Sequence, residues 1–144
     1  LPMIIFDRFR VIIIFLIALM LVGCPSVGDR LRPHEATKVT SEHDAICFQV
    51  LNSQAYQVGS IFIYLRGTPP KERYFIYRPN LSIDNGEMCI PHNFYSFPRE
   101  GQFIVEYILT ANSDTLWPRH VVVGVEFIDG KLQIFPLETH EFIN

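Results

Sequence analysis

Apolar positions are distributed along this chain in two ways. From Val11 to Val22 they form an unbroken run, VIIIFLIALMLV, with no polar residue inside it. A helix of that length rises about 18 Å, short of the roughly 30 Å hydrocarbon core of a bilayer. Its position near the amino end, behind Arg8 and Arg10, suits a signal peptide better than an uncleaved anchor. Past Lys38 the apolar residues alternate with polar ones instead, and no stretch keeps helical spacing for three turns. The period of two predicts strands over 36–40, 45–51, 60–66, 73–78, 87–91, 102–111, 120–128 and 131–137. Val, Ile, Phe and Tyr dominate them, and Asn85-Gly86 and Asp129-Gly130 mark tight turns. Seven or eight short antiparallel strands with no helix to cover a parallel sheet predict an all-β fold, an immunoglobulin-like two-sheet sandwich, with a small β-barrel as the alternative.

The apolar run closes on Leu21-Val22-Gly23-Cys24, and the composition then switches to Pro25-Ser26-Val27-Gly28-Asp29. This resembles the lipobox of bacterial lipoprotein precursors, in which aliphatic and small residues precede the cysteine that is acylated. The resemblance implies that residues 1–23 are a signal peptide that is removed. Cys24 then becomes the first residue, with lipid on its sulfur and nitrogen. Two or three acyl chains anchor effectively permanently where one does not. Pro25 stands where lipoproteins kept at the inner membrane usually have Asp, so the expected location is the periplasmic face of the outer membrane. Residues 24–38 then read as a lipidated tether and 39–144 as the folded domain.

Composition narrows the classes of function. The chain has 144 residues, enough for one ordinary domain, and 49% of them are apolar, which excludes intrinsic disorder. Twelve Lys and Arg against fifteen Asp and Glu give a net charge of −3, which offers no footprint for nucleic acid. With Cys24 acylated, Cys47 and Cys89 are an even pair in an oxidising compartment and are expected to be bridged. Ile46, Phe48 and Val50 form the core-facing set around Cys47, and Cys89 alternates with Met88 and Ile90. Both cysteines therefore leave the core face, which favours a bridge between neighbouring strands of one sheet.

Motifs for chemistry are missing. The sequence holds no G-x-S-x-G, H-E-x-x-H or S-x-x-K, and its five histidines, His34, His43, His92, His120 and His140, show no paired metal-ligand spacing. They read as surface or loop residues, and Glu138 with Glu141 as a solvated tail. The expectation is a protein that is not an enzyme, with no cofactor, metal or small-molecule substrate. Aromatic residues are the remaining signal. Arg73, Tyr74 and Tyr77 share a strand, and Trp117 lies in a loop, the residue types that dominate protein interfaces. They are the candidate partner-binding residues, while Phe94, Tyr95 and Phe97 are as readily core caps.

Several segments together carry a wider resemblance. They are Gly23-Cys24-Pro25-Ser26-Val27-Gly28-Asp29-Arg30-Leu31, Ile46-Cys47-Phe48, Gly86-Glu87-Met88-Cys89-Ile90-Pro91, Tyr95-Ser96-Phe97 and Gly101-Gln102-Phe103-Ile104-Val105-Glu106-Tyr107. The chain resembles, from the lipobox to about Phe127, small enterobacterial periplasmic lipoproteins described as type VI secretion immunity proteins. That resemblance implies an inhibitor that binds a toxin delivered into the periplasm and neutralises it by occlusion. It transfers only the acylated Cys24 and the Cys47 with Cys89 pair. The rival expectation is a structural or assembly lipoprotein that docks on an envelope complex.

Overall fold

The computed structural model describes residues 2–21 and 37–142. The chain divides into two units, Leu1–Pro33 and His34–Asn144. In the first, α1 (Pro2–Leu21) takes in most of the apolar run. No helix among the described residues is long and apolar enough to cross a membrane. Cys24 and most of the expected tether lie outside the described residues.

The second unit is an all-β sandwich of two antiparallel sheets. Its strands are β1 (Val39–Glu42), β2 (Ala45–Gln49), β3 (Tyr56–Leu65), β4 (Tyr74–Tyr77), β5 (Ile83–Asp84), β6 (Glu87–Pro91), β7 (Gly101–Ala111), β8 (Arg119–Ile128) and β9 (Lys131–Phe135). One sheet has the order β1-β2-β6-β5 and the other β4-β3-β7-β8-β9. This is an immunoglobulin-like arrangement, a four-stranded sheet facing the sheet that holds the third, sixth and seventh strands of that fold, here β3, β7 and β8, with β4 added at one edge and β9 at the other. Nine strands are present among the described residues where alternation predicted seven or eight. The additional one, β5, has only two residues, too few to show a period.

Tight turns follow from residues that tolerate positive φ. Asn85-Gly86 (φ 51° and 75°) joins β5 to β6, and Asp129-Gly130 (φ 54° and 77°) joins β8 to β9. His43-Asp44 makes the same kind of turn between β1 and β2 without a glycine, at φ 42° and 64°. Gly124 serves packing: a Cβ there would lie 2.8 Å from the Phe135 ring.

Between the sheets, Ile46, Phe48, Met88 and Ile90 from one side meet Ile61, Ile63, Val105, Tyr107, Leu109, Val123 and Val125 from the other. Antibody domains join β2 to β7 across this layer with a disulfide. Here the Phe48 and Tyr107 rings meet edge to face at 5.7 Å. The disulfide, Cys47–Cys89, instead lies within one sheet: the two residues are directly opposite in the β2–β6 register, and neither belongs to the core cluster. Phe97 packs on Phe103 and Phe127 and with Tyr95 closes one end of the core.

Candidate functional site

The outer face of the five-stranded sheet holds a charge that the sequence buries without warning. Glu106 is the single acidic residue inside the apolar strand β7, and it is 7% exposed. Its neighbours supply its partners. Tyr64 on β3 donates its hydroxyl to Glu106 Oε2 at 3.2 Å, and His120 Nε2 on β8 lies 2.6 Å from Oε1. Burial works to raise the Glu106 carboxyl, but the hydrogen bond and charge of His120, helped by the Tyr64 hydroxyl, hold it below the ordinary carboxylate value. Burial first, and then the charge of Glu106, pushes Tyr64 up to about 12. Arg73 caps this group, its guanidinium 4.2 Å from the centre of the Tyr64 ring and its Nε bonded to the Thr68 carbonyl. His120 thus stays at the surface, its side chain 35% exposed, but spacing gave no sign of the buried carboxylate it is bound to.

The tail after β9 seals the same face. Tyr64, Ile104, Val122 and Phe135 form a second apolar cluster, covered in part by Leu137 and by Phe142 of α2 (Thr139–Phe142). Arg66 pins this tail with Nε and Nη2 at 3.0 and 2.6 Å from the two Glu141 oxygens. Hydrogen bonding from Arg66 lowers the Glu141 carboxyl below its usual range. The expectation of a solvated Glu138 and Glu141 tail is therefore corrected for Glu141, whose side chain is 7% exposed. Glu138, His140 and Glu141 come within 4.8 Å of one another, but Arg66 already holds both oxygens of Glu141.

The four candidate partner-binding residues separate into different environments. Arg73 is committed to Tyr64 and Thr68. Tyr74 shares the inner side of β4 with Ile76 and stacks on Tyr95 at 5.8 Å. Tyr77 lies on the other side of the strand, 67% exposed, with Arg78 5.3 Å from its ring. Phe75 shares that side and stacks on Phe62 at 4.5 Å, though it is still 48% exposed. The aromatic run YFIY places Phe75 beside Tyr74 and Tyr77 in the sequence too, but Phe75 is not among the four binding candidates read from it. β4 ends the sheet at one edge, pairing only with β3, so its aromatic side chains sit beside an open row of backbone groups.

Trp117 stands elsewhere, in the β7–β8 loop, at 65% exposure. Tyr56 donates its hydroxyl to the Trp117 carbonyl at 3.0 Å, and Arg119 bonds the Asn52 carbonyl at 3.2 Å, so the β2–β3 and β7–β8 loops are tied together. Leu51 and Leu116 are exposed on the same loops, beside an open groove of about 870 Å³ lined by Gln49, Asn52, Gln54, Asn85 and Arg119. The structure therefore puts Tyr74 and Tyr77 on β4 with Arg73 immediately before it, and Trp117 on the loops at the opposite end of β3 from the β3–β4 connection.

No curated protein and no solved structure matches the chain. One family match, to a domain of unknown function, DUF7480, spans residues 34–130. That span holds β1 to β8, all of the four-stranded sheet and four strands of the other, and ends in the turn before β9. Since it covers about two thirds of the sequence, the chain belongs to the DUF7480 family.

Proposed function

We propose that this protein is a lipid-anchored periplasmic immunity protein, held at the outer membrane through Cys24, that binds a type VI secretion effector and blocks it by occlusion. It performs no chemistry of its own and needs no cofactor or metal. The observation that carries this reading is β4: an edge strand with Tyr74, Phe75 and Tyr77 all exposed, bracketed by Arg73 and Arg78. Aromatic and arginine side chains of this kind supply most of the binding energy at protein interfaces. The lipobox resemblance supports the location, and the immunity-lipoprotein resemblance supports the class of partner. The Glu106–His120–Tyr64 group is read as structural, since each member satisfies another inside the sheet.

The groove and the exposed Leu51, Leu116 and Trp117 at the loop end favour a second reading, an assembly lipoprotein that docks on an envelope complex. Co-expression separates the two. The effector encoded by the adjoining gene, directed to the periplasm, is expressed with graded amounts of this protein. Immunity by occlusion predicts rescue that saturates near one molecule per toxin. Rescue far below that ratio signals turnover, and no rescue at any ratio supports the assembly lipoprotein. A Cys24→Ala chain is expected to accumulate as unprocessed precursor and to lose fatty-acid labelling.

A further inference from the structure

We propose that β4 accepts an extended segment of a partner protein as a sixth strand of its sheet. The segment alternates apolar residues at its centre and carries acidic residues at both ends. This supplies the mode of contact for the reading above and rests on it only for the partner's identity.

The backbone of β4 is poised for this. The Arg78 N–H donates to the Gly59 carbonyl at 2.8 Å, and the β3–β4 register runs from Ser60 opposite Tyr77 to Ile63 opposite Tyr74. Antiparallel ladders alternate between bonded and non-bonded pairs. With residues 59 and 78 a bonded pair, Ile76 and Tyr74 also bond inward to β3. Phe75 and Tyr77 then turn their N–H and C=O groups to the open edge. The turn and loop hydrogen bonds among the described residues do not involve Phe75 or Tyr77 either. Two donors and two acceptors therefore await a strand, and strand addition uses such groups for affinity and the alternating side chains for specificity.

Side chains define what fits. A guest residue beside Tyr74 and Ile76 packs at the margin of the main core, and one beside Phe75 and Tyr77 extends the stack on Phe62. Both rows favour apolar groups. The ends favour acids: Lys71 and Arg73 outnumber Glu72 just before the strand, and Arg78 follows it. A second copy of this chain is the poorer guest. Paired antiparallel so that Phe75 of each faces Tyr77 of the other, two copies bring Arg73 of each within about one residue of Arg78 of the other, and like charges so placed repel. Pro79 and the left-handed Arg78 (φ 51°) end the strand and keep the open edge short, which limits unspecific sheet growth.

The test uses the isotope-labelled full chain in non-ionic detergent and two blocked peptides. One reads Asp-Asp-Val-Thr-Val-Thr-Asp-Asp, and in the other Lys replaces every Asp. The acidic peptide is expected to shift the amide resonances of Phe75 and Tyr77 at low-millimolar concentration and to slow their hydrogen exchange. The Lys-ended peptide is expected to bind at least tenfold more weakly, and added salt to narrow the difference. Tyr77→Pro removes one outward donor without touching the inward ladder, and should weaken binding at least fivefold at an unchanged thermal midpoint. Should that variant fold poorly, Phe75→Pro makes the same test one register further in. Equal binding of the two peptides, shifts confined to residues 50–54 or 113–118, or a dimer that Tyr77→Pro dissolves would each overturn the proposal. Peptide binding without rescue in the toxin assay removes the immunity reading and leaves strand addition standing.

Discussion

On its inner face the five-stranded sheet meets the other sheet with Ile61, Ile63, Val105, Tyr107, Val123 and Val125, all of them buried. On its outer face it holds Tyr64, Ile104, Glu106 and Val122, also buried, yet no second sheet covers them. The tail after β9, an ion pair and a three-residue polar network do that work instead. Burial by sheet packing needs only apolar side chains at alternate positions, whereas burial by a tail needs specific partners, because the polar groups there must be satisfied where they lie. The inner face is therefore expected to be costly to empty, and the outer face costly to unbalance.

The largest effect should come from the inner face. Phe48→Ala removes a fully buried ring from the contact with Tyr107 and is expected to cost about 3–5 kcal/mol, a large share of the stability of a domain this size. Loss of soluble protein or a steep fall in the urea midpoint checks it. Next comes the staple on the far side of the other sheet. Replacing Cys47 and Cys89 by Ala frees a loop of sequence separation 42, expected to cost about 4 kcal/mol by chain entropy. Denaturant melts with and without reductant measure it, and alkylation of two thiols in the folded protein would refute the bridge.

Outer-face effects should be smaller and depend on pairing. His120→Ala leaves the Glu106 carboxylate buried with Tyr64 alone and is expected to cost about 1–3 kcal/mol. Replacing both residues by Leu should cost less than His120→Ala does, since no buried charge is then left unpaired. The pH dependence carries a sign that can be checked. The Glu106 carboxyl is lowered in the folded state, so its contribution is whole above the ordinary carboxylate value and is lost as pH falls through the lowered one. Tyr64 runs the other way. Its value of about 12 makes its contribution whole below the ordinary 10 and lost as pH rises from 10 to 12. Urea midpoints across pH should lose both slopes in the chain with Leu at 106 and Phe at 64. Smallest of all, Glu141→Gln weakens the Arg66 clamp. It should lower the thermal midpoint slightly while speeding hydrogen exchange around Phe135, because the pair is partly exposed.

How much of this was legible in the sequence follows the same division. Six predicted strands overlap β2, β4, β6, β7, β8 and β9 to within about two residues, because runs rich in Val, Ile, Phe and Tyr bounded by turn residues mark buried strands whether one face is covered or both. β3 begins at Tyr56, four residues before the alternation suggested, because Gly59 and the register shift at Val58/Ser60 break the period there. The bridge was legible too, since Cys47 and Cys89 each sit between core residues. What covers the outer face was not. Glu106 inside an apolar strand signals a buried charge in need of partners, but diagonal neighbours on the two flanking strands supply them, and period alone does not pair strands. Glu141 looked solvated because Arg66, its partner, lies 75 residues away in the chain. Arg73, Tyr74 and Tyr77 were found as a group because a short edge strand keeps them together. Trp117 could be set apart from them only once the loops were placed.

The central claim is that β4 is the contact surface of a stoichiometric protein inhibitor. Amide hydrogen exchange read by mass spectrometry, on the full chain alone and saturated with the effector encoded by the adjoining gene, tests it most directly. The account predicts one effector bound per chain, with slowed exchange over Tyr74–Tyr77 and no change over the loops 50–54 and 113–118. Protection confined to those loops, with β4 exchanging as in the free protein, would contradict it.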